Sequence, residues 1–254
     1  VYNEMKGAFS SPDEVLEREI MNHLFPDTTY GCESGGDPKN IPDLTYENFL
    51  NFHRTYYHPS NSYIYLYGNM DMEEKLAFLD EHYLSHFDYL DVDSVIQEQK
   101  AFGACRDVTL EYPVAENEGE EDNTYLSYNM VVGNAADSQM AMAFEVLDYA
   151  LLSAPGAPLK QALLDVKAGK DVYGSYDDGI LQPYFTVIAK GSNPDRKEEF
   201  VSVIRQVLGD IVKNGIDRKA VEAGINYFEF RYREADFSSY PKGLMYSLDI
   251  LGDW

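Results

Sequence analysis

The sequence predicts an α+β fold in two layers, antiparallel sheet against helices, spread over two domains of which the first is incomplete. Three observations lead there. Strand-like runs come in adjacent pairs, 108–112 with 126–132, where apolar and polar residues alternate, and 171–176 with 184–189. Helical runs follow each pair, giving the order ββααββαα and an antiparallel sheet with helices on one face. The stretch before residue 88 reads ααβα and holds one strand-like run, around Ile64 and Leu66. One strand cannot make a sheet, so its partners are expected upstream.

The elements follow in order. Val1 to Phe9 is a short helical stretch. Ser11-Pro-Asp-Glu14 starts a second helix, with Pro12 in the first turn and Leu16, Ile20 and Leu24 on one face, and Pro26 stops it. A loop rich in Gly and Pro leads to a third helix capped at Thr45, with Leu44 and Phe49 placed as a hydrophobic staple. Phe49, Phe52 and Tyr56 are its expected buried stripe, and His58-Pro59-Ser60-Asn61 breaks it. Asp71 with Glu74 forms a capping-box pattern for a helix reaching to about His86. Residues 88–103 lose periodicity and read as a linker. Beyond it, Val108, Leu110 and Tyr112 alternate, as do Leu126, Tyr128, Met130 and Val132, around the acidic run 116–122. That pattern predicts a hairpin. Helices are expected over 137–152, with Met140, Phe144, Leu147 and Leu151 on one face, and over 159–167. Two strands follow, then a helix opened by Asn193-Pro194 and ended by Gly215, with Phe200, Val203, Val207 and Ile211 inside. Asp217 caps the last long helix, whose inner residues are Val221, Ile225 and Phe228. The chain opens inside a helix and closes on the apolar run from Leu244 to Trp254, so both ends read as cut.

Totals exclude several classes. At 254 residues, 44% hydrophobic and 14% aromatic, the chain has ample material for a buried core. No apolar run approaches the roughly eighteen residues a spanning helix needs, so a membrane partner is not expected. Forty-four acidic against 20 basic residues give a net charge of −24. That field repels nucleic acid and anionic lipid and favours basic peptides. Cys32 and Cys105 show no CxxC spacing and read as reduced, unpaired thiols, which fits an intracellular protein.

Catalytic motifs are sparse. The chain has neither HExxH nor HxxEH, and its histidines are His23, His53, His58, His82 and His86. His82 and His86 alone have helical i, i+4 spacing, but Ser85 stands where an inverted zinc motif would place its glutamate base. His53 and His58 straddle a helix end and read as packing or capping groups. Gly35-Gly36-Asp37-Pro38 lacks the GK[ST] of a phosphate loop, and the acidic run lacks EF-hand spacing. No GxSxG appears.

Two stretches carry a resemblance. Val1-Tyr-Asn-Glu-Met-Lys-Gly-Ala-Phe9 resembles the segment after the inverted zinc motif in presequence proteases, a branch of the pitrilysin/insulysin family of zinc metallopeptidases. Ser34-Gly-Gly-Asp-Pro-Lys-Asn-Ile-Pro-Asp-Leu-Thr-Tyr46, Phe52-His53, Tyr56-Tyr-His-Pro-Ser-Asn61 and Tyr67-Gly68-Asn69 resemble the same branch's signature in order and spacing. The resemblance implies a clamshell of four α/β roll domains of the LuxS/MPP-like metallopeptidase type, cleaving unstructured peptides in a closed chamber. It implies that Glu4 is a zinc ligand, while the two histidines and the catalytic base belong to an HxxEH that this chain does not contain. Residues 1–88 are then the rear of a catalytic-type roll domain, 89–103 a linker, and 104–254 a second, non-catalytic roll domain. Zinc is expected in the intact enzyme and not stoichiometrically in this chain, which by itself is expected to be inactive. The partners implied are peptide substrates and the remaining domains of the same polypeptide. The compartment expected is the cytoplasm, with the mitochondrial matrix as the alternative. Two rival readings stand beside this one: a catalytically dead homologue that binds peptides or serves as a structural subunit, and an unrelated acidic module with a metal at His82 and His86.

Overall fold

The computed structural model describes residues 1–114, 119–234 and 239–253. Packing divides the chain into two compact units interleaved in sequence: Val1–Gly7 with Glu33–Gln97 and Phe237–Trp254, and Ala8–Cys32 with Glu98–Asp236.

The second unit is built on an antiparallel sheet of strands β1 (Thr124–Val131), β2 (Asp171–Asp177) and β3 (Tyr184–Ser192), in the order β1-β3-β2. β3 takes the centre because its sequence suits burial on both faces. Phe185, Val187 and Ala189 are buried on one side, and Thr186 and Ile188 on the other. Leu126, Tyr128 and Met130 of β1, and Val172, Gly174 and Tyr176 of β2, pair with the first set and share its face.

Helices cover that face. α5 (Ser138–Asp148) starts where Asp137 Oδ1 accepts from the Met140 N–H at 3.0 Å. It passes into a π turn, Tyr149–Ser153, that buries Ala150, Leu151 and Leu152. α6 (Pro158–Asp165) buries Leu159 and Leu163, and α7 (Lys197–Asn214) buries Phe200 and Ile204. These side chains join the inner sheet residues in one core cluster, and each fully buried one contributes roughly 1.5–3 kcal/mol. α8 (Arg218–Glu234) lies against α5 through Gly224, where a Cβ would stand 3.2 Å from both Val146 and Tyr149. The opposite face is covered too. α2 (Pro12–Leu24) packs there with buried Ile20, and Phe25 at its end sets its ring edge-on to Tyr184 and Tyr30.

The first unit is helical: α1 (Tyr2–Ala8), α3 (Tyr46–Tyr56), α4 (Met72–His82) and α9 (Lys242–Asp253). The expected caps are present. Thr45 Oγ1 accepts from the Asn48 N–H and Asp71 Oδ1 from the Glu74 N–H, both at 3.1 Å. No helix among the described residues is long and apolar enough to cross a membrane.

Several expectations are corrected. Residues 63–67 form no strand, because a strand exists only as a ladder and no described segment pairs with this one. Residues 108–112 form none either. β1 takes its ladder from β3, Val108 and Leu110 stay exposed, and the segment is tied by Tyr112, whose hydroxyl donates to the Asn123 carbonyl. Residues 115–118, within the expected hairpin loop, lie outside the described residues. Phe49, Phe52 and Tyr56 line up on α3 but are exposed, as no described element covers them. On α8 Ile225 is half-exposed, since the helix approaches its neighbour through Gly224. α4 stops at His82, where Tyr83 (φ −137°, ψ −67°) leaves helical geometry, and Leu84–His86 is a separate 3-10 turn. Helices on one face of the sheet also understates the second unit, because α2 closes the other.

A test of the core follows from Gly174. A Cβ there would stand 2.3 Å from Leu152 Cδ1 and 2.4 Å from the Thr186 carbonyl oxygen, and backbone in a central ladder cannot retreat. Gly174→Ala is expected to destabilise the chain by roughly 1–3 kcal/mol, read as a lower midpoint of denaturant unfolding at unchanged slope.

Candidate functional site

Glu4, the zinc ligand that the resemblance implies, lies on α1. The helix is a short one whose first turn closes with Met5 N–H donating to Val1 O at 2.8 Å. The Glu4 side chain is 80% exposed, and its Oε2 lies 4.0 Å from the Val1 amine. An exposed pair of that kind fixes little. The next residue, Met5, packs on the 34–46 loop: a Cβ on Gly35 would fall 2.4 Å from Met5 Sδ and would push that flexible side chain aside. Gly36 continues the loop at φ +90°, and Asp37 holds its turn, with Oδ1 accepting from the Lys39 N–H at 2.8 Å. The structure thus brings together the two stretches that carry the sequence resemblance.

The histidines take up structural tasks. His53 stacks on Tyr57 with ring centroids 4.8 Å apart. His58 caps a 3-10 turn, its Nδ1 accepting from the Ser60 N–H, and meets Phe87 edge-on. His82 lies against Phe78. Since α4 ends at His82, His86 is not one helical turn further along the same face. Among the described residues no group of three or more His, Cys, Asp or Glu is arranged to hold a metal ion. Cys32 and Cys105 are exposed and unpaired.

In the second unit, a concentration of polar chemistry lies on the α2-covered face of the sheet. Lys190 Nζ donates to Asp13 Oδ1 and Oδ2 at 3.1 and 2.8 Å, and the Tyr173 hydroxyl reaches Asp13 at 3.5 Å. The hydrogen bond to Asp13, with a second to Tyr125, holds the Lys190 ammonium well above the ordinary lysine value. Tyr184 donates to Asp177 Oδ2 at 3.1 Å. Burial first, and then the Asp177 charge, pushes its phenol far above the usual range. On the core face, burial followed by Asp178, Glu145 and nearby carboxylates pushes Tyr176 up to about 12. Ser175 and Thr186 bond hydroxyl to hydroxyl at 3.2 Å, and Asn129 Oδ1 is buried without a hydrogen-bond partner among the described residues. The carboxylates on this face are engaged within the fold, Asp13 by Lys190 and Asp177 by Tyr184. Sequence reasoning missed this face, although the polar halves of the alternating strands, Ser127 and Asn129 on β1 and Tyr173, Ser175 and Asp177 on β2, were its available signal.

Glu17 gives a test. Its carboxyl lies above the ordinary glutamate value, through burial first and then repulsion from Glu14, Asp13 and Asp177. The folded chain therefore favours the neutral form. The resulting penalty sets in as pH rises past the value at which the unfolded chain ionises, and is complete above the raised folded value. Glu17→Gln is expected to raise the Tm at neutral pH by the equivalent of roughly 0.5 kcal/mol, allowing for solvent screening, with no gain at acid pH. Thermal melts of both proteins across pH read the difference.

Comparisons with known proteins place this geometry in a family context. Residues 43–228 match the family described as peptidase M16 inactive domain. Protein HypA of Clostridium perfringens is 49% identical over 254 residues, which cover 100% of this chain and 26% of that protein. Presequence protease 1, chloroplastic/mitochondrial, of Arabidopsis thaliana is 37% identical over 258 residues, covering 100% and 24%. The chain therefore spans about a quarter of the length of the curated relatives it matches. Among solved structures, the peptidase M16 inactive domain from Pseudomonas fluorescens aligns with a TM-score of 0.69 at 19% identity, over 99% of this chain and 59% of that one. A protease from Helicobacter pylori aligns at 0.57 with 18% identity, over 96% and 63%. At those identities the structural likeness speaks for the fold.

Proposed function

Because the chain belongs to the peptidase M16 family, we propose that it is part of a zinc metalloendopeptidase that degrades unstructured peptides within a closed chamber. The observation that carries this reading is the contact of Met5 with Gly35, which anchors α1 while Glu4 projects into solvent. A ligand carboxylate needs that combination of a fixed backbone and a free head. The inactive-domain match and the peptidases among the relatives support the rest.

Zinc does not fit the residues of this chain alone. A catalytic zinc site takes three protein ligands and a water, and Glu4 is a single candidate donor with no metal-holding cluster around it among the described residues. No reaction step is assigned to these side chains. Glu4 would complete a site whose other donors and base come from elsewhere in the polypeptide, so the chain alone would be inactive. Residues 1–88 would belong to the catalytic-type domain, 89–103 would link, and 104–254 would form chamber wall. The exposed aromatic face of Phe49, Phe52 and Tyr56 is available to the remaining domains of the same polypeptide. The net charge of −24 would favour basic peptide substrates. The cytoplasm is the compartment proposed; relatives named as mitochondrial and chloroplastic favour an organelle as the alternative.

A second reading has one observation in its favour, the description of the matched domain as inactive. On it the parent is a catalytically dead homologue that binds peptides or serves as a structural subunit.

Elemental analysis and cleavage of an unfolded peptide distinguish these. The 254-residue chain is expected to carry no stoichiometric zinc and to cleave nothing. A protein extended to the length of its relatives is expected to do both, and Glu4→Gln in that longer protein to lower activity by roughly 100-fold or more together with zinc content. One zinc per chain plus hydrolysis by the 254 residues would overturn the assignment of the remaining ligands. A longer protein with no activity would favour the dead homologue. Cleavage of a basic peptide by the longer protein should weaken as salt rises, and that of a neutral peptide should not.

A further inference from the structure

The turn between α7 and α8 carries the one Asn-Gly step in the sequence, Asn214 followed by Gly215. Asn214 is the last residue of α7 and Gly215 its C-cap, at φ 87° and ψ 157°, and both are exposed. The Asn214 side chain makes no hydrogen bond among the described residues. A Cβ built on Gly215 would meet nothing within 4 Å, so the space beside its Cα is open. An asparagine amide free to rotate, next to a glycine whose nitrogen has no side chain to shield it once its hydrogen bond is released, is the arrangement in which the chain can react with itself.

We propose that Asn214 is a site of spontaneous deamidation through attack by the Gly215 backbone nitrogen. That nitrogen forms a bond to Asn214 Cγ, the Cγ–Nδ2 bond breaks, and the Gly215 amide proton reaches the departing nitrogen by way of solvent, releasing ammonia. A five-membered succinimide remains. Water then adds at either ring carbonyl and breaks its bond to the ring nitrogen, leaving an aspartate or an isoaspartyl linkage. Water is the only co-reactant.

One restraint stands against the attack. The Gly215 N–H donates to Ile211 O at 2.8 Å, and Asn214 must leave helical geometry before its Cγ can meet that nitrogen. Both conditions concern the last turn of α7 alone, and terminal turns open far more often than the fold unfolds. The fully buried anchors of α7, Phe200 and Ile204, lie at its other end, while Ile211 and Ile216, which flank the step, pack against the core only in part. Modification is therefore compatible with an intact core. Its consequences are local: a carboxylate arises beside the free carbonyls at the negative end of the α7 dipole. The isoaspartyl form also lengthens the backbone just before Asp217, which accepts from the Lys219 N–H at the start of α8.

The test ages the 254-residue chain at mildly alkaline pH and physiological temperature, with peptide mapping by mass spectrometry and an isoaspartate-specific methylation label. Asn214 is expected to convert roughly tenfold faster than any other asparagine, because glycine alone leaves the attacking nitrogen unshielded. Asn214→Gln should abolish label at this position and most of the ammonia released, while leaving the melting temperature unchanged. Conversion no faster than at other asparagines would overturn the proposal. So would conversion that appears only after denaturation, since opening of one turn would then be insufficient.

Discussion

The second unit depends on β3 being acceptable on both of its faces and both of its edges. Its backbone is consumed by ladders to β1 and β2, so it cannot move without breaking the sheet. Phe185, Val187 and Ala189 then dictate where the helical layer lies, since α5 with its π turn, α6 and α7 all contribute to the cluster those residues found. On the reverse side, Ile188 and Thr186 are equally buried, and α2 completes the cover. The apolar faces of the other elements have direction only because this strand supplies something to face. The glycine at 174 belongs to the same constraint, leaving room for Leu152 over the ladder.

What the sequence made legible follows from which interactions are local. Caps are legible at Thr45, Asp71 and Asp217, because a side chain accepting from a backbone N–H two or three residues on needs nothing from the rest of the fold. Strands β2 and β3 were legible as well, since β3 pairs with β2 and the run of β3 is continuous in apolar character. The runs at 63–67 and 108–112 have equally good alternation and formed no strand. Alternation states which side would be buried. It does not supply a partner edge, and the ladder is a long-range fact.

Burial was harder to read than structure type. Phe52 is 59% exposed on a helix the periodicity predicts, while Ile204 on α7, outside the predicted stripe, is 0% exposed. Periodicity marks a stripe within a few residues, and the neighbouring element selects which of them it covers. The polar face of the sheet escaped notice for a related reason. Asp13 and Lys190 are 177 residues apart and look in sequence like two unremarkable surface charges. Only the descent of α2 onto β3 makes them a pair.

The same distinction bears on Glu4. The resemblance of the 1–9 stretch implies a ligand there, but nothing local determines where it is held, because α1 is a short helix with no buried residue of its own. Its position is inherited from the Met5 contact with Gly35, across an interval that includes the whole of α2. A side chain at 35 would meet the Met5 sulfur, and the flexible thioether stem would have to move aside, loosening the packing next to the carboxylate. On the proposed reading, Gly35 helps to position Glu4 by way of Met5. The two stretches recognised separately in the sequence are therefore one mechanical unit.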